Sequence, residues 1–151
     1  MRLFLDANVL FAAAVTPAGR AQRLFDLAGA GLCVLVSTPY VLDEVRRNVH
    51  NRYPDALGKL GDLASKLEVT PEADVDLVAW AQEHLPAKDA PVLAAAVASR
   101  VDLLVTGDKR HFGALYDREL RGVRVVSLAG ALWAILATPD NDDIDVDATS
   151  S

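Results

Sequence analysis

VDLLVTGDKRHF, residues 101–112, sets the apolar run Leu103-Leu104-Val105 against an immediate break at Thr106-Gly107-Asp108. A run of that length ended by glycine reads as a buried strand that stops abruptly. Asp108 then stands just past the strand's carboxyl end, the edge at which open α/β sheets bind ligands. The N-terminus repeats the arrangement, with the short apolar strand Arg2-Leu3-Phe4-Leu5 followed directly by Asp6-Ala7-Asn8. Two strands that each deliver a carboxylate at such an edge point to an acidic site on a parallel sheet.

The segments between and after these strands alternate. Residues 9–15 are apolar and helix-compatible, Thr16-Pro17-Ala18-Gly19 marks a break, and residues 20–30 read as a helix ended by Gly29 and Gly31. Residues 32–36 form the expected second strand. Thr38 and Pro39 then fit a helix start, as N-cap and first-turn proline. Val41, Leu42, Val45 and Val49 share one arc of that helix at ~100° per residue. Asp43 projects nearly opposite the arc, and Glu44 lies at its border, where a side chain can reach a cleft. Helices are expected at 55–66, 74–84 and 88–100, with a short strand at 67–70. In the alanine-rich helix 88–100, Asp89 heads the stripe that continues through Leu93, Ala96 and Val97, so its carboxylate faces the core and is costly unless paired. Residues 109–120 read as helical or irregular, 122–127 as a last strand and 128–136 as a closing helix containing Trp133. This order argues for an α/β fold with a mainly parallel sheet flanked by helices.

The chain has 151 residues, of which 52% are hydrophobic and 24% charged, enough to bury a core without disulfides or structural metal. The expected organisation is one domain over residues 1–137 and an acidic, disordered tail over 138–151. Five aspartates of that tail account for all but one of the six net negative charges, so the low pI says little about the rest. A strongly basic footprint, the usual mark of a nucleic-acid binder, is absent, although a bound divalent cation offsets a cluster of acids. The single cysteine, Cys33, reads as a small core residue in a reducing compartment. No apolar run approaches the ~18 residues of a membrane span, and the expected location is the cytoplasm without membrane association.

Asp6, Glu44, Asp89 and Asp108 are the candidate site residues. Each has a plainer alternative: Asp6, Asp89 and Asp108 as helix caps, and Glu44 as a solvated helix residue. As a group they are more informative, because four carboxylates in one cleft repel one another unless a cation sits among them. Oxygen ligands alone suit Mg²⁺ or Mn²⁺, and such a cation suits phosphodiester hydrolysis. Asn8 and Thr106 are placed to orient the carboxylates. Arg46, Arg47, Lys109 and Arg110 are candidates for holding substrate phosphates, or else a solvated charged face. His50, His84 and His111 do not fit ligand spacing and read as surface or loop residues.

LDANVL at residues 5–10, Glu44 early in the helix after the second strand, Asp89 ahead of VLAAA, and LLVTGDKRHF at residues 103–112 together resemble the PIN domain. The resemblance runs as far as Leu136 and is nearest to bacterial PIN proteins labelled as toxins of toxin–antitoxin pairs. It implies a three-layer α/β/α sandwich and a metal-dependent endoribonuclease. Asp6, Glu44, Asp89 and Asp108 would hold Mg²⁺ or Mn²⁺, supported by Asn8 and Thr106. Water would attack the RNA phosphodiester in line, leaving a 5′-phosphate and a 3′-hydroxyl. It also implies a homodimer or higher homo-oligomer and a partner antitoxin protein. Two departures stand out: Lys88 occupies a position where relatives often carry a second acid, and Pro91 sits early in its helix.

Two other classes fit parts of the pattern. A haloacid-dehalogenase-like phosphatase also begins with a strand and DxD, but Asn8 replaces the acid–base partner here. A PIN fold kept only for binding RNA or protein is the non-enzymatic alternative.

Overall fold

The computed structural model describes residues 1–138. Within these residues six strands form one sheet: β1 (Arg2–Leu5), β2 (Val34–Ser37), β3 (Glu68–Val69), β4 (Leu103–Val105), β5 (Glu119–Leu120) and β6 (Val123–Val126). Their order across the sheet is β3-β2-β1-β4-β6-β5, parallel throughout except for the antiparallel β5–β6 pair. Among the described residues eight α-helices connect and follow them: α1 (Ala7–Val15), α2 (Arg20–Gly29), α3 (Pro39–Arg52), α4 (Leu57–Ala64), α5 (Val75–Ala81), α6 (Ala90–Ala98), α7 (Lys109–Phe112) and α8 (Leu128–Leu136). Helix α1 packs on α2, α3 and α4, with α8 against α2, while α5 and α6 pair with each other and α6 lies on β4. The result is the expected α/β/α arrangement around a mainly parallel sheet.

The topology explains where a site can form. From β1 the chain steps outward to β2 and then β3; from β4 it steps the opposite way, to β6. The reversal falls between β1 and β4, which are paired neighbours with Leu5 beside Val105. Connections that leave in opposite directions open a crevice at the carboxyl ends of the two strands. Asp6 and Thr106 follow those two residues and therefore flank the crevice. The strands themselves are nearly continuous apolar runs, as expected where a parallel sheet is covered on both faces. Leu3, Phe4, Leu5, Leu104 and Val105 are all fully buried.

Several element bounds differ from the sequence expectation, for local reasons. The second strand begins at Val34, two residues late, because Gly31 takes a left-handed φ of 80° after α2 and Leu32 still bonds back to Leu27. The helix expected at 55–66 is a 3₁₀ turn (Pro54–Ala56) leading into α4. Helix α6 starts at Ala90 because the N–H groups of Asp89 and Ala90 are taken by the Pro86 carbonyl. The stretch 109–120 proves to be α7, a 3₁₀ turn (Gly113–Leu115) and the edge strand β5. Gly122 is not in the last strand. With Arg121 it has positive φ (48° and 88°), the pattern of a two-residue hairpin turn between β5 and β6.

Cys33 is buried, its Sγ 3.9 Å from the Leu24 carbonyl oxygen. Trp133 of α8 is 74% exposed, outside the core. Among the described residues no helix is long and apolar enough to cross a membrane. The tail expected to be disordered, 138–151, lies outside the described residues except for Thr138.

Leu104 is fully buried at the centre of the sheet, next to β1 and β6. Leu104→Ala is expected to lower stability by about 2–5 kcal/mol, read as a lower urea midpoint with an unchanged slope.

Candidate metal centre

Asp6 directly follows β1 and caps α1: its Oδ1 accepts from the Ala7 N–H at 2.8 Å. Its Oδ2 accepts from the Thr106 hydroxyl at 2.9 Å and from Asn8 Nδ2 at 3.3 Å. The residue is only 7% exposed. Burial pushes its pKa up to about 6; the bonds from Thr106 and Ala7 oppose that rise, while the charges of Glu44 and Asp89 add to it. Asp6 is thus both a cap and a buried acid with a raised pKa, and the capping alternative does not exclude a role in the site.

Thr106 is fully buried and ties the two strand ends together. Besides donating to Asp6, its Oγ1 accepts from the Asp108 N–H at 3.1 Å and from Asn8 Nδ2 at 3.3 Å. Asn8 closes the bracket from the other side, its Oδ1 accepting from the Gly107 N–H at 2.7 Å. A Cβ at Gly107 would stand 3.3 Å from that same oxygen, so a side chain there would press on the bond.

Asp108 caps α7, its Oδ1 accepting from the His111 N–H at 3.1 Å. Its Oδ2 lies 2.9 Å from His111 Nδ1. Asp89 reaches the same ring from α6: its Oδ2 is 3.1 Å from His111 Nδ1. That approach is a close contact without hydrogen-bond geometry, and Asp89 Oδ2 is left buried with no hydrogen-bond partner. Asp89 occupies the N-cap position of α6 but makes no side-chain cap bond, so capping does not account for it. Its pKa is raised by burial, pulled back by Lys88 and His111, and raised again by Asp108. Asp89, Asp108 and His111 each present a ligand atom within 4.8 Å of the others.

Glu44 stands half-buried on α3, with Asp43 exposed beside it and paired to Arg46 at 3.2 Å. Its carboxylate is not in the Asp89–Asp108–His111 group, but its charge acts on Asp6 and on Tyr40. Tyr40, one turn before Glu44, donates its hydroxyl to the Lys88 carbonyl at 2.6 Å and so holds the backbone next to Asp89. Tyr116 does the same for the other strand end, donating to the Thr106 carbonyl at 2.8 Å. Both phenols are pushed up in pKa, first by burial and then by the acids they face: Glu44 and Asp89 for Tyr40, Asp108 and Asp6 for Tyr116. Of the four candidate cations, Arg47 acts on Tyr40 and so stands on the acid side. Arg46 is engaged by Asp43, and Lys109 and Arg110 are exposed on α7.

His111 is the group the sequence reading misplaced. It is half-buried on α7 between two acids, rather than free on the surface or in a loop. The available signal was its position three residues after Asp108, one helical turn away. Tyr40 and Tyr116 carried no comparable signal.

The arrangement fits a divalent cation. A buried carboxylate oxygen without a partner, a second carboxylate beside it and a third that is desolvated yet next to more negative charge are what such an ion would relieve.

Residues 2–110, which carry all four acids, match the model of the PIN domain. The chain belongs to the PIN domain family, and this sets aside the haloacid-dehalogenase-like alternative. Its fold is similar to VapBC2 from Rickettsia felis bound to a DNA fragment from its promoter, with TM-score 0.63 at 16% identity over 84% of this chain and 98% of that one. It is similar to DNA-bound VapBC from Salmonella typhimurium, with TM-score 0.65 at 14% identity over 85% of this chain and 98% of that one. VapC20 from Mycobacterium tuberculosis, a toxin that cleaves the sarcin–ricin loop, gives TM-score 0.55 at 18% identity over 74% of this chain and 93% of that one. No curated protein matches the chain in sequence.

The folded chain holds the Asp6 proton more tightly than the unfolded chain does. In chelator, stability should therefore fall as pH rises from about 4 to about 6, by an amount on the order of 3 kcal/mol from this group. Asp6→Asn is expected to flatten that fall, measured as the thermal midpoint across the same pH range.

Proposed function

We propose that this protein is an endoribonuclease that uses Mg²⁺ or Mn²⁺ held by Asp6, Glu44, Asp89 and Asp108. The observation that carries the reading is the buried, unpartnered Asp89 Oδ2 facing Asp108 at the crevice between β1 and β4. Membership in the PIN family supports it. When bound, the cation supplies acidification of a water and neutralisation of charge on the phosphoryl group, leaving a 5′-phosphate and a 3′-hydroxyl after in-line attack.

The chain's own residues do the positioning. Thr106 holds the Asp6 carboxylate and the Asp108 backbone in one bonded unit, and Asn8 fixes the Gly107 turn between them. Tyr40 and Tyr116 anchor the backbone beside Asp89 and Asp108. Arg47, with Lys109 and Arg110, would meet substrate phosphates and offset the negative rim. Arg46 would contribute after release from its exposed pair with Asp43.

The VapBC complexes among the similar folds support a partner antitoxin for this chain, and the loop cleaved by VapC20 supports RNA as substrate. We place the chain in this class as a cytoplasmic toxin that self-associates and is restrained by a bound protein. The gene next to its own is the place to seek that protein.

The expected outcome is cleavage of RNA with Mn²⁺, none with EDTA, and a loss in Asp89→Asn greater than the ~10–100-fold that follows loss of a ligand's supporting partner. Equal cleavage in all three would point to a contaminant or another site. RNA binding without cleavage would favour the binding module. Thr106→Val should stay folded and lose ~10–100-fold in rate, because Asp6 Oδ2 loses the shorter of its two bonds from other side chains.

A further inference from the structure

We infer that His111 contributes its Nδ1 to the metal centre as a nitrogen ligand, biasing the site toward cations that accept imidazole, such as Mn²⁺ and Co²⁺, over Mg²⁺. This rests on the metal-dependent reading above and goes beyond it, because His111 lies one residue past the stretch matched to the PIN domain.

The geometry is specific. Adjacent ligand atoms of an octahedral ion with bonds of ~2.1 Å stand ~3.0 Å apart. His111 Nδ1 is 2.9 Å from Asp108 Oδ2 and 3.1 Å from Asp89 Oδ2, so it forms two such edges with carboxylates from different elements. With the proton on Nδ1 the ring can donate to Asp108 Oδ2, but the Asp89 contact lacks hydrogen-bond geometry, so Asp89 Oδ2 is left buried and unsatisfied. A ring placed only to steady Asp108 has no need to crowd a second carboxylate. In the other tautomer, with the proton on Nε2, Nδ1 would give up the bond to Asp108 and turn a lone pair toward the space the two oxygens share, where a cation would take the place of the proton.

The backbone holds the ring there. Asp108 caps the single turn of α7 by accepting the His111 N–H on Oδ1, which directs its Oδ2 toward the imidazole. The side chain is 27% exposed, so it is only partly withdrawn from solvent. Chemically, Mg²⁺ prefers oxygen and keeps its waters, whereas imidazole nitrogen suits first-row transition metals. An Asp–Asp–His set with Asp6 and Glu44 nearby is therefore a mixed site.

The test is metal binding itself, by calorimetric titration of the full chain with CoCl₂ and with MgCl₂, and by the visible spectrum of the Co²⁺ form. His111→Gln, which can still hydrogen-bond Asp108, is compared with His111→Ala after thermal midpoints establish that both fold. The expected result is a ~10–100-fold loss of Co²⁺ affinity in both variants, a Mg²⁺ affinity within ~3-fold of wild type, and an altered Co²⁺ spectrum. Equal losses for the two metals, or an unchanged Co²⁺ spectrum, would overturn the inference and reduce His111 to a support for Asp108. Wild-type protein that binds neither metal, or Asp108→Asn that binds both normally, would instead overturn the metal reading beneath it.

Discussion

The Thr106 hydroxyl donates to the buried Asp6 carboxylate at 2.9 Å and accepts from the Asp108 N–H at 3.1 Å, and this pair of bonds joins the ends of the two central strands. The junction is possible only because Leu5 and Val105 are partners in a parallel pair, so that the residues after them emerge side by side. Moving either strand by one residue would turn Asp6 or Thr106 to the opposite face. The apolar sheet therefore does more than fill the core. Its register sets the position of a polar bracket that the sheet itself could not solvate.

Burial makes that bracket consequential. A carboxylate on a residue only 7% exposed, with two further acids adding to its charge, is unfavourable in an ionised state, and its pKa of about 6 expresses the conflict. Hydrogen bonds from Thr106 and Ala7 relieve part of it, and Asn8 and Gly107 complete the local satisfaction. Asp89 has no such relief, since its Oδ2 faces another carboxylate and a ring nitrogen without a hydrogen bond. Residual frustration of this kind is expected at functional sites and rare elsewhere in a packed domain. The two tyrosines fit the same logic, because each bonds a backbone carbonyl adjacent to an acid-bearing segment and keeps mutually repelling groups from spreading apart.

Much of this was legible in the chain. Short apolar runs ended by Asp6 and by Gly107-Asp108, a Thr38-Pro39 helix start and an alanine-rich segment headed by Asp89 led to an α/β fold of the observed kind. The β5–β6 hairpin was not legible, because β5 is two residues long and its turn relies on Arg121 in a left-handed conformation that sequence rarely announces. The place of His111 was not legible either, because its partners are not histidines at a ligand spacing but one acid a helical turn away and another more than twenty residues earlier.

Local chemistry, which acts over a few residues, was determined by sequence alone: which segments are apolar enough for strands, where helices begin, and which acids sit at strand ends. Only the tertiary structure decided which of those acids meet, since contacts between Asp6 and Thr106 or between Asp89 and His111 depend on strand order and register. Those in turn follow from how apolar faces pack across the whole sheet, a property that no single stretch of the chain contains.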